Sequence, residues 1–139
     1  MFPQQAKFLV VDDFATMRKI VKKVLAELGY TNVSEAEDGK PALALLQQAA
    51  QSGQPIEMVI SDWNMPGMTG IELLKACRSN PQLKGTPFML VTAESEQKNI
   101  IEAAQAGVSD YVVKPFNAQT LKEKLTRVWA KHNPPTKAA

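Results

Sequence analysis

The stretch Met58-Val59-Ile60-Ser61-Asp62-Trp63-Asn64-Met65-Pro66-Gly67-Met68-Thr69-Gly70-Ile71-Glu72-Leu73-Leu74 changes character twice. Met58 to Ser61 is short and almost uniformly apolar, the pattern of a strand buried on both faces. From Asp62 to Gly70 the chain carries Asp, Asn, Pro and Gly, four residue types that favour turns. Ile71, Leu74 and Cys77 then recur at helical spacing. Strand, turn and helix in this order make half of a parallel crossover, because parallel neighbours must be joined by a segment that crosses the sheet face.

The same unit repeats on both sides of this stretch. Phe8 to Val11, Phe88 to Val91 and Tyr111 to Val113 are further short apolar runs. Val33 to Ala36 alternates more, with Ser34 and Glu35 inside it, and reads as an edge strand. Met17, Ile20, Val21, Val24, Leu25 and Leu28 fall on one helical stripe, stopped by Gly29. Asp38 suits the cap of a second helix, with Pro41 in its first turn and Leu43, Leu45 and Leu46 facing inward. Ile100, Ile101 and Ala104 mark a fourth helix ended by Gly107. Leu121, Leu125, Val128 and Trp129 mark a fifth, stopped by Asn133, Pro134 and Pro135. The polar segment Gln47 to Pro55 reads as a loop, and the residues from Asn133 as a frayed tail. Five strand–helix repeats define an α/β domain with a parallel sheet. The expectation is one domain over 1–139, with its core at about 7–131.

Composition narrows the chemistry. The 139 residues are 45% hydrophobic, enough for a packed core. A net charge of +2 is too mild to argue for nucleic acid or a membrane surface as partner. Arg18, Lys19, Lys22 and Lys23 form the one basic cluster and read as a solvated helix face. No apolar run reaches the length of a membrane span. The run at Phe8 ends too soon at Asp12 for a signal peptide, so the expected location is the cytoplasm. Cys77 is the sole cysteine, sits at an apolar helical position and reads as a buried small hydrophobe. His132 is the sole histidine and lies near the end of the chain. Histidine-rich zinc sites, Ser-His-Asp triads and Cys-His pairs are thereby set aside. What remains is chemistry by carboxylates, lysine, hydroxyls or a hard metal.

In open parallel sheets, ligands bind beyond the carboxyl ends of the strands. Asp12 and Asp13 follow the first strand, Asp62 the third, Thr92 ends the fourth and Lys114 the fifth. Singly, each has an ordinary explanation: a helix cap for Asp13, a turn residue for Asp62, a β-branched strand end for Thr92, an exposed loop charge for Lys114. Jointly they place three carboxylates, a hydroxyl and an ammonium on one rim. Clustered carboxylates raise one another's pKa, and a divalent cation relieves this. Three carboxylates, one divalent cation and one ammonium sum to zero charge. Oxygen ligands without histidine or thiolate select a hard ion, Mg²⁺ or Mn²⁺. Mg²⁺ is commonly held by one or two carboxylates plus a phosphate oxygen, so the rim looks built to receive phosphate. A carboxylate can itself be the nucleophile in phosphoryl transfer, here Asp62. An ion on Asp12 or Asp13 would bridge to Asp62, while Lys114, Thr92 and backbone N–H groups meet the phosphoryl oxygens.

The stretches FLVVDDFATMRKIV, ISDWNMPGMTGIELL, VTAE and DYVVKPF together resemble the receiver domain of two-component response regulators, and its chemotaxis branch most of all. The resemblance runs from about Lys7 to Trp129. It implies a flavodoxin-like (βα)5 three-layer sandwich with strand order 2-1-3-4-5. It implies that Asp62 is the phosphoacceptor, that Asp13, Asp62 and the Asn64 carbonyl bind Mg²⁺ directly, and that Asp12 holds a metal-bound water. Lys114 and Thr92 would contact the phosphoryl group, and Lys114-Pro115 would be a cis peptide. Thr92 and Tyr111 would form the switch, and Asn64 and Glu94 would tune the lifetime of the phosphorylated state. The output face would comprise the fourth helix, fifth strand and fifth helix, roughly Glu94 to Gly107, Tyr111, and Asn117 to Trp129, with Lys122 and Lys124 on it. Segment 47–55 is longer than the family pattern, and Gly67 and Thr69 depart from it.

The resemblance further implies a monomeric signalling switch that catalyses only its own phosphoryl transfer and dephosphorylation. A chemotaxis histidine kinase would be the phosphodonor and the flagellar motor switch the target, with room for a dedicated phosphatase. A stand-alone receiver in another phosphorelay is the alternative. A small Asp-nucleophile phosphatase would want a second Asp two positions after Asp62, and Asn64 stands there.

Overall fold

The computed structural model describes residues 1–93 and 97–133. Its elements alternate: β1 (Phe8–Val11), α1 (Ala15–Glu27), β2 (Val33–Ala36), α2 (Gly39–Gln51), β3 (Met58–Asp62), α3 (Gly70–Ser79), β4 (Phe88–Thr92), α4 (Gln97–Gln105), β5 (Asp110–Val113) and α5 (Ala118–His132). The strands form one sheet in the order β2-β1-β3-β4-β5, and every pair is parallel. This is the flavodoxin-like architecture expected from the sequence.

Alternation along each strand divides the core between the two faces of the sheet. Leu9, Val11, Val59, Phe88 and Leu90 pack with Leu46 of α2, Leu74 of α3 and Ala103 of α4. Val10, Met58, Ile60, Met89 and Val91 pack with Val21 and Leu25 of α1 and Leu121, Leu125 and Val128 of α5. Each of the larger side chains among these, fully withdrawn from water, contributes roughly 1.5–3 kcal/mol. Cys77 is fully buried, and desolvation pushes its thiol up to about 11. It packs as a small hydrophobe.

Register aligns the ends of the strands that matter. Val11 lies beside Ala36 and Ser61, Asp62 beside Val91, and Thr92 beside Val113. Asp62 and Thr92 are themselves the last residues of β3 and β4, so the sheet holds their backbones.

Caps fix where the helices start. Asp38 accepts from Lys40 N at 2.8 Å and opens α2. Asn117 accepts from Thr120 N at 2.9 Å and opens α5. Thr69 and Glu72 form a reciprocal capping box at α3. Gly67 has φ +75°, a left-handed conformation that suits glycine. Thr69 and Gly67 are thus explained by the turn they build.

Four expectations need correction. Residues Gln47 to Gln51 belong to α2, which is capped by Ser52 before the left-handed Gly53. Gln and Ala are good helix formers, and Ala49 and Ala50 pack partly against the core. Gly39, Ala42 and Leu46 are the buried residues of α2, with Leu43 and Leu45 only flanking them. Ile20 is 48% exposed, on the shoulder of the α1 stripe rather than at its centre. Among the described side chains of α4 the buried one is Ala103, while Ile101 is 58% exposed and Ala104 is also exposed. Glu94 and the prolines at 134 and 135 lie outside the described residues.

Candidate functional site

The carboxyl edge of the sheet gathers the residues singled out above. β1 ends at Val11, and the next two residues, Asp12 and Asp13, enter the turn to α1. Carboxylate oxygens of Asp12, Asp13 and Asp62 all lie within 4.8 Å of one another. Lys114, just past β5, places Nζ 3.0 Å from Asp62 Oδ1 and 4.0 Å from Asp12 Oδ2. Asp12, Asp62 and Thr92 are buried, and Lys114 is partly so.

Electrostatics at this edge are unfavourable without a cation. Burial raises the Asp12 pKa, and the charges of Asp62 and Asp13 raise it further. A hydrogen bond from Phe14 N to Asp12 Oδ1, 2.9 Å long, and the nearby Lys114 act in the opposite sense. Asp13 Oδ1 is buried and has no hydrogen-bond partner. A buried, unpartnered carboxylate oxygen costs free energy unless something positive meets it. Three carboxylates and one lysine leave a deficit of two positive charges, and all the donors are oxygens. The residues therefore fit a hard divalent cation.

The surrounding backbone is tightly built. Trp63 N donates to Val91 O at 2.9 Å, and Gly70 N donates to Trp63 O at 2.9 Å. These bonds fold the segment after Asp62 back over the end of β3. Gly70 must be glycine at this point, since a Cβ there would lie 2.2 Å from the Asp62 carbonyl oxygen. Met68 packs where a Cβ on Gly39 would stand, which ties the same turn to α2. Lys114 N donates to Thr92 O at 2.7 Å, and the Lys114-Pro115 peptide is cis, as the sequence resemblance implies.

Other expected residues sit farther out. Asn64 is exposed in the turn after Asp62. Tyr111 is half-buried on β5, with Lys124 Nζ 4.8 Å from its ring centroid. Lys124 also reaches Asp110 Oδ1 at 3.4 Å. Lys122 is exposed on α5. An apolar hollow of about 290 Å³ beside Lys114 is lined by Met17, Ile20, Pro115 and Phe116. A second hollow, about 400 Å³, lies at the opposite edge of the sheet beside Trp129 and His132, away from the aspartates.

Sequence reasoning assigned Arg18 to a solvated basic face, yet its side chain is only 12% exposed. It donates to the Asp12 carbonyl at 2.6 Å and to Glu35 Oε1 at 3.0 Å. The need for glycine at position 70 was likewise not foreseen. Neither feature leaves a local signal, because each depends on segments brought together only by folding.

The response regulator receiver domain model matches residues 8–126, and the chain belongs to that family. It is a signalling domain of the chemotaxis-regulator type. It is 54% identical over 127 residues to the chemotaxis protein CheY of Pseudomonas aeruginosa, covering 91% of this chain and 98% of that protein. It is 52% identical over 123 residues to the chemotaxis protein CheY-3 of Vibrio cholerae, covering 88% and 91%. Among solved structures, the Vibrio cholerae chemotaxis protein CheY4 superposes with a TM-score of 0.79 at 41% identity, covering 89% of this chain and 98% of that one. The receiver domain of a Pseudomonas aeruginosa sensor histidine kinase superposes with a TM-score of 0.75 at 26% identity, covering 88% and 96%. That structure holds a magnesium ion in its active-site cleft. Among the described residues, no helix is long and apolar enough to cross a membrane.

Proposed function

We propose that the chain is a receiver that accepts a phosphoryl group on Asp62 and passes the signal on by binding another protein. The observation that carries this reading is the 3.0 Å approach of Lys114 Nζ to Asp62 Oδ1 inside a trio of carboxylates. A structural ion pair would need one carboxylate. Three of them, one with a buried unpartnered oxygen, suit a site that receives a cation and an anion together.

In this mechanism a carboxylate oxygen of Asp62 attacks the phosphorus of a phosphohistidine on the donor kinase. The P–N bond breaks and a P–O bond forms, giving an aspartyl phosphate. Asp13, Asp62 and the Asn64 carbonyl would hold Mg²⁺, with Asp12 reached through water. Mg²⁺ supplies charge neutralisation of the phosphoryl oxygens. Lys114 exchanges part of its contact with Asp62 for a phosphoryl oxygen, acting as a point charge. The Thr92 hydroxyl meets a further oxygen. Water later attacks phosphorus, the P–O bond to Asp62 breaks, and inorganic phosphate leaves as the carboxylate is restored, with Asn64 and Glu94 setting the pace.

Phosphorylation changes charge at one end of a packed sheet, and a two-state element turns that into a changed surface. Thr92 and Tyr111 on adjacent strands are that element. The responding surface is α4, β5 and α5, where Ile101 and Lys122 are exposed. The two relatives named for chemotaxis support a chemotaxis histidine kinase as donor and the flagellar motor switch as target. The test is binding of a motor-switch peptide to the protein with and without phosphorylation. Tighter binding after phosphorylation is expected; equal binding contradicts the assigned output.

A further inference from the structure

Asp12 and Asp13 sit on the turn between β1 and α1, where Asp12 N donates to Ala36 O at 3.1 Å and Phe14 N to Asp12 Oδ1 at 2.9 Å. Arg18 adds a constraint on the Asp12 carbonyl. One nitrogen of its guanidinium donates to the Asp12 carbonyl at 2.6 Å, and another to Glu35 on β2 at 3.0 Å. Glu35 is shared with Lys22 at 3.0 Å, one turn further along α1. Three elements, β1, α1 and β2, are thereby tied at the point where the two carboxylates leave the chain. The bond to Asp12 is charge-assisted and sheltered, the kind that outlasts a surface ion pair.

We propose that Arg18, anchored on Glu35, is a positioning residue for the cation site. By holding the Asp12 carbonyl it sets where the Asp12 and Asp13 side chains point. The guanidinium suits this task because its planar fork serves two acceptors at once, whereas a lysine ammonium offers a single nitrogen. The inference rests on the reading of the three aspartates as a Mg²⁺ site.

Positioning and plain electrostatics predict opposite signs. Removing a positive charge near three carboxylates should, by Coulomb's law alone, tighten Mg²⁺ binding. If Arg18 holds the turn, its removal loosens binding despite that gain. The experiment is calorimetric titration of Mg²⁺ into wild type, R18A, R18K, E35Q and the R18A/E35Q double variant, each first shown to be folded by its thermal melt. A weakening of about 3–10-fold is expected for R18A, the net range of one ordinary hydrogen bond, because the repulsion relieved on removing the guanidinium offsets part of the stronger charge-assisted bond. R18K should recover only part of it. E35Q, which keeps Arg18 but reduces its anchor from an ion pair to a neutral hydrogen bond, should weaken binding less. The double variant should match R18A, because Glu35 acts through Arg18. Unchanged or tighter binding by R18A overturns the inference, as does a double variant whose losses add. If R18A does not fold, E35Q alone decides: unchanged affinity overturns the proposal. No Mg²⁺ binding by wild type would instead overturn the underlying site assignment.

Discussion

Lys114 Nζ sits 3.0 Å from Asp62 Oδ1 and 4.0 Å from Asp12 Oδ2, so one ammonium serves two carboxylates that β5, β3 and β1 bring to the same edge. The arrangement is unbalanced, since Asp13 adds a third negative charge nearby. Lys114→Met removes the cation that pairs with both Asp62 and Asp12. Mg²⁺ affinity should rise at least about threefold from the charge change. The response to phosphorylation should nonetheless be lost, because no point charge remains to draw on the phosphoryl group. Calorimetry with Mg²⁺ and target binding with and without phosphorylation measure the two effects.

Charge crowding should also appear in stability. Asp12→Asn keeps an oxygen to accept from Phe14 N but removes one charge from the trio. In metal-free buffer with chelator the variant should melt roughly 2–6 °C above wild type. With saturating Mg²⁺ the order should reverse, because wild type gains binding energy that the variant largely lacks. Thermal melts with EDTA and with Mg²⁺ check both halves.

Gly70 tests how tightly Asp62 is held. A methyl group there would meet the Asp62 carbonyl at 2.2 Å and Leu90 at 2.9 Å. The backbone of β3 cannot yield cheaply, so Gly70→Ala should cost about 1–3 kcal/mol by denaturant unfolding. It should also weaken Mg²⁺ binding, as relief of the clash displaces Asp62.

At the opposite edge, His132 Nε2 lies 2.6 Å from Ser109 Oγ, which also accepts from Phe88 N at 3.0 Å. Desolvation lowers the His132 pKa, with the charges of Arg78 and Lys131 adding to it. A histidine with a depressed folded value takes up its proton first in the unfolded chain. Its contribution to stability is therefore intact above the ordinary histidine range. It declines as pH falls from about 6.5 toward the folded value. His132→Gln should flatten that decline in denaturant unfolding followed between neutral pH and about pH 5.

The strands were legible because parallel strands buried on both faces leave short apolar runs with no competing pattern. The rim was legible for a related reason: a parallel sheet sends every strand's carboxyl end to one side, so Asp12, Asp62, Thr92 and Lys114 had to meet. Helix faces were read less well. Apolar stripes on α1 and α4 are wide enough to include Ile20 and Ile101, which the packing leaves exposed, while small Ala103 takes the close contact. Polarity misled at Gln47 to Gln51, where glutamines extend α2 along its solvent side. Arg18 and Gly70 were opaque, since one answers to a carbonyl six residues back and to Glu35 on β2, and the other to a carbonyl at the end of β3.

The central claim is that Asp62 is the acceptor, and phosphotransfer tests it most directly. Wild type and Asp62→Asn are each incubated with a labelled, phosphorylated chemotaxis histidine kinase and Mg²⁺, and label on the receiver is followed. Transfer to wild type, its loss with EDTA, and none to Asp62→Asn are predicted. Label of equal extent on Asp62→Asn would contradict the account.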